Sequence, residues 1–421
     1  MDVVLAGGIF LVAYALIASE RFDRTLVALL GGLLVVVLGI IDQEEAFGGI
    51  DFNVIFLLAG MMILAGGLSR TGFFEYVAGL AIHRSRGEPF RLLVILCVAT
   101  AVLSALLDNV TTVVLLTPVT LSIARTLKVS PFPYLISQIF ASNIGGTATL
   151  IGDPPNIMIG SAAGLDFGDF LVNLAPVVLA IMVFFLAIMR FVFGRSMADD
   201  EDRLDLLATV DPAAAITNWP LMYRALIVLG LTIVGFLLHS LIGVEAATIA
   251  LLGATVLMIV GPLDPHDTLR DVEWNTLFFF VGLFMLVEAV VHVGIVGSVA
   301  NTLAGVVGGR LEVATIGILW VSALGSAIVD NIPYTATAIP IVERMIETGL
   351  DDDPLWWALA LGACLGGNLT IVGASANIVV TNLAARDGHP ITFMQFFRYG
   401  LGVVIASLSI STVYLWLRYL G

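Results

Sequence analysis

The sequence predicts an all-α polytopic membrane protein built from two inverted-topology repeats, and three observations support this fold class. Of the 421 residues, 59% are hydrophobic and 12% are charged, with a mean hydropathy of +1.05, whereas roughly a quarter of the residues in soluble globular domains are charged. Apolar runs of about 20 residues recur along the chain, and each can cross a hydrocarbon core about 30 Å thick. The two halves also carry the same motifs at a nearly constant offset.

The charge and cysteine content exclude several classes of function. The net charge is −15, and Lys128 is the only lysine, which excludes a basic nucleic-acid-binding surface. Cys97 and Cys364 are far apart in the sequence, so neither a disulfide framework nor a Cys-rich metal motif is predicted. The first apolar run lacks a basic n-region and a small-residue cleavage site, and we interpret it as a permanent span.

Internal repetition divides the chain into two halves. We predict a first transmembrane repeat over 1–196, an acidic cytoplasmic linker over 197–220 and a second transmembrane repeat over 221–421. Three motifs carry the repetition, at offsets of 222, 222 and 221 residues: Asp51–Gly60 matches Glu273–Gly282, Ser104–Asn109 matches Ser326–Asn331, and Gly145–Gly152 matches Gly366–Gly373.

Each half is predicted to contain the same series of membrane segments. Three plain apolar spans come first, followed by a segment interrupted at an Asp-Asn pair, a segment interrupted at a Gly-rich motif, and a final span. In the first half these segments start near Val3, Thr25, Asn53, Phe90, Tyr134 and Phe170.

The segment around Asp108-Asn109 could cross the membrane or enter and return on one side, and loop charge separates the two alternatives. Lys and Arg accumulate in cytoplasmic loops. A re-entrant hairpin leaves only Arg310, Arg344 and Arg418 of the 18 basic residues outside, whereas a full crossing scatters them. Each half then crosses about five times, the second half is inverted, and both termini face the outside. Inverted repeats with interrupted helices are typical of secondary transporters, whose substrate sites lie near the midplane.

The Gly-rich interruptions predict a polar ligand cage. Helix cannot continue through Pro154-Pro155 without losing backbone hydrogen bonds, and irregular backbone at membrane depth is tolerated only where it lines a cavity or is buried in protein. A merely structural, Pro-kinked helix is the alternative, and the recurrence of the pattern disfavours it. The site is asymmetric, because Ala374-Ser375-Ala376 replaces Asp153-Pro154-Pro155. The candidate substrate- and ion-binding residues of the two breaks are Asn143, Gly145, Gly146, Thr147, Thr149, Gly152, Asp153 and Asn156, and Gly366, Gly367, Asn368, Thr370, Gly373, Ser375 and Asn377.

The two hairpin tips supply a second set of candidates. Asp and Asn often bond their own backbone in tight turns, which is the structural alternative. A carboxylate within the membrane nevertheless costs at least about 2.5–3.5 kcal/mol and is a functional candidate by default. The candidates here are Asp108, Asn109, Thr111 and Thr112 in the first hairpin, and Asp330 and Asn331 in the second.

Asp153 is the only acidic residue inside either Gly-rich break. It could couple transport to a proton or cation, or it could simply cap the break. We predict proton coupling through Asp108, Asp153 and Asp330. No cofactor and no resident metal are expected, and the coupling ion is a proton or sodium.

The motif Ser142–Asn156 resembles the signature of the ion transporter superfamily, in the branch that contains arsenite permeases, sodium/proton antiporters and the P protein. Relatives that carry dicarboxylates resemble the chain in plan, which implies a homodimer and an elevator-type movement. Their hairpin tips typically read Ser-Asn-Thr, whereas here the tips read Asp108-Asn109-Val110 and Asp330-Asn331-Ile332. The added negative charge disfavours a dianion and favours a cation or a neutral solute.

The leading functional hypothesis is proton-coupled efflux of arsenite or antimonite across the cytoplasmic (inner) membrane. Hydroxyl, amide and backbone groups could bind uncharged arsenous acid. A sodium/proton antiporter and an organic-anion carrier of the dicarboxylate type are the alternatives.

The expected partners follow from the same hypothesis. They are membrane lipid and a small inorganic solute or ion, with no nucleic acid. The chain has no phosphate-binding loop, so any dependence on ATP would require a separate ATPase subunit. An enzyme is not expected, because the five histidines lie mostly in or near predicted loops without metal-ligand spacing.

Overall fold

The computed structural model describes residues 1–19, 21–194, 197 and 211–421. All regular secondary structure in this part of the chain is helical, with 21 α-helices, so the predicted all-α fold is confirmed. Of the predicted acidic linker, the run 198–210 lies outside the described residues.

The helices of the first half are α1 (Asp2–Ser19), α2 (Arg24–Val37), α3 (Gln43–Gly48), α4 (Phe52–Ser69), α5 (Phe73–Ser85), α6 (Pro89–Leu106), α7 (Asn109–Thr126), α8 (Phe132–Gly146), α9 (Pro154–Ala163), α10 (Phe167–Asn173) and α11 (Ala175–Phe193).

The helices of the second half are α12 (Trp219–Ile242), α13 (Ala246–Val260), α14 (Pro265–Arg270), α15 (Trp274–His292), α16 (Ile295–Val307), α17 (Leu311–Val329), α18 (Asn331–Glu347), α19 (Asp352–Gly366), α20 (Ser375–Arg386) and α21 (Phe393–Leu415). Short 3₁₀ turns occur at Pro212–Ala215 and Gly367–Leu369.

Eight of the described helices are long and apolar enough to cross a membrane, four in each half. In the first half they are α1, α4, α6 and α11. In the second half they are α12, α15, α17 and a last segment, Phe393–Leu420, that extends α21. Three shorter apolar helices, α2, α13 and α16, accompany them. The chain is therefore a multi-pass membrane protein.

Each half contains a helical hairpin at the Asp-Asn pair. Leu107 and Asp108 alone separate α6 from α7, and Asp330 alone separates α17 from α18. The two helices of each pair pack against each other, and both tips are buried. Because the chain reverses at these turns, the re-entrant interpretation holds. Five segments of each half then cross: three plain spans, one broken helix and the final span.

The packing of the helices repeats when the two halves are exchanged. Helix α6 packs on α8 as α17 packs on α19, α2 packs on α15 as α13 packs on α4, and α7 packs on α20 as α18 packs on α9. The equivalent helices α11 and α21 contact each other directly. The halves are thus related by a pseudo-two-fold axis. With an odd number of crossings in each half, this axis lies in the membrane plane.

The helices form two groups. Helices α1, α2, α4, α12, α13 and α15, which we call the frame, pack mainly on one another. The two hairpins, the broken helices and α11 with α21, which we call the core, form the second group.

Close helix contacts in the frame depend on two equivalent glycines. A Cβ on Gly282 would come within 2.4 Å of the Ala28 carbonyl carbon, and one on Gly60 within 2.7 Å of the Ala250 carbonyl carbon. Small residues allow such backbone contact between membrane helices. These two crossings fix α2 against α15 and α13 against α4.

Two features differ from the sequence interpretation. The sequence analysis does not predict helices α5 and α16. Each of them follows an equivalent glycine with positive φ, Gly72 at 80° and Gly294 at 81°. A glycine in this conformation ends the preceding helix, and a new helix starts after it. The final span of the first half begins at Ala175 and not near Phe170, because Asp166 caps the separate short helix α10.

We expect Gly282→Val to lower the thermal unfolding midpoint of the purified protein, because the added side chain separates α2 from α15. Overpacking of this kind costs about 1–3 kcal/mol. The control is Gly230→Val in α12, where an added Cβ meets nothing within 4 Å. Equal unfolding midpoints for the two variants would contradict the crossing.

Candidate functional site

Both Gly-rich motifs break a helix inside the core. Helix α8 ends at Gly146 and α9 begins at Pro154, while α19 ends at Gly366 and α20 begins at Ser375. The backbone crosses itself closely within each break, so that a Cβ on Gly146 would lie 2.4 Å from the Gly152 carbonyl oxygen. The equivalent contact of Gly367 with Gly373 leaves 2.8 Å. Only glycine fits at these crossings.

One asparagine closes each break by binding its free carbonyls. The Asn156 side-chain amide donates to the carbonyls of Thr147 at 3.1 Å and Thr149 at 2.9 Å. Asn377 donates to the carbonyls of Gly367 at 2.8 Å and Thr370 at 2.9 Å. Both asparagines are fully buried. Their side-chain amides supply the hydrogen-bond donors that these backbone carbonyls would not find in lipid hydrocarbon.

Hydroxyl groups join each hairpin to the break of the same half. Thr149 Oγ1 donates to the Ala105 carbonyl at 2.5 Å, and Thr370 Oγ1 donates to the Ala327 carbonyl at 2.6 Å. A second pair of equivalent bonds uses serines that the sequence interpretation did not select. They are Ser104 Oγ to the Ser142 carbonyl at 2.7 Å and Ser326 Oγ to the Ala363 carbonyl at 2.6 Å.

The two breaks meet each other through Asn143. Its amide nitrogen lies 2.9 Å from both Asn368 Oδ1 and Asn377 Oδ1, and its own Oδ1 accepts from Asn109 Nδ2 at 3.2 Å. Cys364 occupies the equivalent position in the second half, and its thiol lies 3.4 Å from Asn156 Oδ1. The first hairpin and both breaks therefore share one buried polar cluster.

The aspartates at the hairpin tips cap helices. Asp108 Oδ1 accepts from the Thr111 amide at 2.7 Å, and Asp330 Oδ1 accepts from the Ile332 amide at 3.0 Å. Both aspartates thus bond the local backbone, as the structural interpretation of the hairpin tips expects. The two tips are not identical, because Asp330 has φ of 91° and Asp108 has φ of −175°. A non-glycine residue with such a positive φ stores about 1–3 kcal/mol of strain.

Asp153 differs from both hairpin aspartates, because its side chain makes no capping bond to α9. The residue is fully buried, and its Oδ1 accepts from Asn331 Nδ2 at 3.0 Å. The Asn109 amide and the Cys364 thiol also lie beside this carboxyl. Within the described part of the chain, neither Asp153 Oδ2 nor Asn109 Oδ1 has a hydrogen-bond partner. Two acceptor oxygens are therefore left unsatisfied where both hairpins approach the first break.

A cavity of about 320 Å³ lies on one side of the second hairpin tip, and we call it the Arg24 vestibule. Arg24 lies 3.6 Å from Asp330 Oδ2 and donates to Ser375 Oγ. Ser375 Oγ in turn donates to Asp330 Oδ2 at 2.9 Å. The other lining residues are mostly apolar: Ile17, Phe22, Phe279, Val329, Val372, Ile378 and Val379, with Asn382.

The equivalent region on the opposite side has a much smaller cavity. It lies beside α9 and α13, where Ala246 replaces Arg24 and Pro154 replaces Ser375. The pocket there, lined by His239 and Glu245 among others, has a volume of only about 40 Å³. Since inversion places equivalent regions at opposite membrane faces, the cavities beside the two hairpins differ in volume between the two faces.

The remaining candidates are also placed by the structure. Thr111 lines a separate cavity of about 290 Å³ together with Arg70 and Glu273. Thr112 is buried, and its hydroxyl has no partner among the described residues. Thr147 donates to the Asn143 carbonyl at 2.7 Å, and Gly145 packs on the Ala101 backbone.

The profile of the citrate transporter family matches residues 14–362. The chain belongs to the citrate transporter family. Membership confirms the resemblance to the ion transporter superfamily.

The relatives cover the whole chain. A 46 kDa membrane protein of Mycobacterium leprae is 45% identical over 424 residues, covering 99% of both chains. An uncharacterised transporter of Mycobacterium tuberculosis is 44% identical over 423 residues, covering 99% of this chain and 98% of its own. The human P protein is 35% identical over 501 residues, which cover 98% of this chain and 60% of that protein. The match to the P protein supports the predicted branch.

A solved structure shares the fold. The YdaH transporter of Alcanivorax borkumensis aligns with a TM-score of 0.63 and 12% identity, covering 99% of this chain and 98% of that one. Together with the family match, this identifies the protein as a membrane transporter.

We expect Asn143→Ala to destabilise the protein strongly, since it leaves the oxygens of Asn368 and Asn377 without their shared donor. Each orphaned buried group costs about 1–3 kcal/mol. Thermal unfolding should show the loss, with Asn301→Ala on the exposed face of α16 as the control. A variant as stable as the control would show that the cluster does not hold the breaks together.

Proposed function

We propose that the protein is a proton-coupled secondary carrier that exports a small uncharged oxyacid, arsenous or antimonous acid, and that Asp153 is the coupling carboxyl. The observation that carries the coupling is that Asp153 Oδ2 is buried without a hydrogen-bond partner among the described residues, while the side chain of Asn109, whose Oδ1 also lacks a partner there, lies beside the carboxyl. An uncompensated buried carboxylate is strongly disfavoured. No basic side chain of the described residues forms an ion pair with it.

A proton or a hard cation would satisfy both oxygens. A protonated Asp153 would donate from Oδ2 to Asn109 Oδ1, and sodium would accept both as ligands, since hard cations prefer oxygen. Asn331 and Asn109 come from different hairpins. Binding of a proton or cation to Asp153 would therefore change contacts with both hairpin tips. Asp108 and Asp330 would contribute further negative charge near the site.

The chemistry of the polar cluster supports a neutral cargo. Amides, hydroxyls and backbone carbonyls outnumber charges around the breaks, and such groups would bind a small triol by hydrogen bonds. Capture of arsenic by thiolates would need clustered cysteines, whereas Cys97 and Cys364 are the only two in the chain. Cys364 alone borders the cluster, where it could provide at most one sulfur ligand.

The proposed membrane topology follows from loop charge. The bias of Lys and Arg predicts both termini outside an inner membrane and the Arg24 vestibule open to the cytoplasm. The unequal volumes of the vestibule and its counterpart support alternating access. An elevator movement of the core against the frame would exchange the two openings. The chain is further proposed to form homodimers and to contact lipid, with any ATPase in a separate subunit.

Two observations favour an organic anion as the second candidate cargo. The family is named for citrate transport. The vestibule also contains the positively charged guanidinium of Arg24, which can bind an anion. Sodium/proton exchange is the third possibility, since sodium would use the same oxygens around Asp153.

We expect purified protein in liposomes with a trapped pH dye to give a proton signal when arsenite is added outside. Citrate and sodium are added to separate batches, and protein-free vesicles are the blank. A signal with sodium alone would make the protein a sodium/proton antiporter. A signal with citrate alone would favour the second candidate and contradict arsenite as cargo.

We expect Asp153→Asn to abolish the proton signal, because the amide cannot exchange a proton, while the unfolding midpoint changes little. The matched control is Asp166→Asn, which replaces the cap of α10 by an equally good cap away from the site. Proton flux retained in Asp153→Asn would refute the assignment of the coupling carboxyl.

A further inference from the structure

The Arg24 vestibule contains a charge arrangement that coupling at Asp153 does not require. A single nitrogen of Arg24, Nη1, is held between Ser375 Oγ and Asp330 Oδ2. Asp330 and Ser375 are each 4% exposed, whereas the Arg24 side chain is 31% exposed and lines the cavity. The guanidinium is thus accessible from the vestibule, and its carboxylate partner is buried behind it.

This contact joins the frame to the core. Arg24 is the first residue of α2, and its guanidinium also lies over the ring of Phe279 on α15, 5.2 Å from the ring centre. Both helices belong to the frame. Asp330 and Ser375 belong to the second hairpin and the second break. The ion pair therefore has to separate if the core moves against the frame.

The arginine keeps binding capacity for a further ligand. Its two polar contacts among the described side chains both use Nη1, so the donors on Nε and Nη2 remain for another acceptor. The planar guanidinium matches a carboxylate or a tetrahedral oxyanion with two parallel hydrogen bonds. The Phe279 ring below the guanidinium adds a cation–π contact that helps to position it.

We propose that the Arg24 vestibule is a binding site for a small carboxylate or oxyanion, and that Asp330 acts as a built-in competitor that occupies Arg24 while the site is empty. An entering anion takes over Arg24 and Ser375, and Asp330 is released. This inference is independent of the coupling role of Asp153. It would give the organic-anion candidate its recognition group.

Two structural details agree with a displaceable Asp330. The residue has φ of 91°, a conformation that the contacts with Arg24, Ser375 and the Ile332 amide hold in place. The equivalent Asp108 has an extended backbone and forms no ion pair with an arginine among the described residues, and Ala246 stands at the position equivalent to Arg24. The competitor and its target thus occur together, on one side of the pseudo-two-fold axis.

Competition also predicts how anion binding depends on pH. The charged groups that face Asp330 are Arg24 and, across the hairpin tip, Asp153. A protonated Asp330 no longer competes for Arg24, so anion affinity should increase as the pH falls. Sulfate is the suitable probe for this dependence, because it stays fully ionised.

The test is anion binding to the purified full-length protein by isothermal calorimetry at constant ionic strength. The probes are citrate, sulfate and chloride in separate titrations. Wild type should bind citrate or sulfate more tightly than chloride, and which of the two binds distinguishes a carboxylate site from an oxyanion site. Arg24→Gln should weaken this binding at least about tenfold, the scale of losing a charge-assisted bidentate contact.

Asp330→Asn provides the decisive variant, because asparagine preserves the helix cap and removes the competing charge. It should bind the anion more tightly than wild type and lose the dependence on pH. Arg125→Gln, which removes the exposed pair with Asp387, should bind like wild type. The proposal is overturned if neither citrate nor sulfate binds to wild type, or if Asp330→Asn binds no more tightly than wild type.

Discussion

The need to satisfy backbone polar groups inside the membrane governs this structure. Each Gly-rich break exposes carbonyls and amides at a depth where no water is available, and each free group there costs several kcal/mol. Asn156 and Asn377 close the breaks from within, and threonine and serine hydroxyls attach the hairpins to them. The hairpin tips are in turn placed by this attachment. The polar centre of the protein thus follows from the repair of two broken helices.

The polar contacts that close the two breaks are nearly the same in both halves. The positions at which the halves differ carry the chemically distinctive side chains. Asn143 of the first half is replaced by Cys364 in the second half, which exchanges an amide donor for a thiol. Asp153 of the first half is replaced by Ala374, so only the first break contains a carboxylate, and its Oδ2 stays unsatisfied among the described residues. The third exception is Arg24, which has alanine at its equivalent position and stands beside the open cavity. Symmetry therefore provides the scaffold, and three departures from it provide the proposed coupling group and two different faces.

Much of this architecture could be predicted from the sequence because it depends on local patterns. The repeated Gly-rich motifs predicted the breaks at Gly146 and Gly366. The Asp-Asn pairs at Asp108 and Asp330, together with the loop charges, predicted the hairpins. The repeat itself contained Ser104 and Ser326, and alignment at the 221-residue offset of the Gly-rich motif places Cys364 opposite Asn143, so these residues could have been found. Arg24 could not, because a single arginine at the start of a span carries no signal of the hairpin that folds against it 306 residues later. The sequence also could not show that Asp153 leaves α9 uncapped, because that depends on whether its carboxylate accepts from a backbone amide of this helix.

The most direct test of the central claim, that Asp153 is a buried carboxyl with a free oxygen, is infrared spectroscopy of the purified protein in sodium-free buffer. A difference spectrum between acid and alkaline pH reports the C=O stretch of protonated carboxylic acids. We expect a band that is missing in Asp153→Asn, retained in Asp166→Asn, and reduced when sodium or cargo competes for the same oxygens. A band that survives unchanged in Asp153→Asn would contradict the claim.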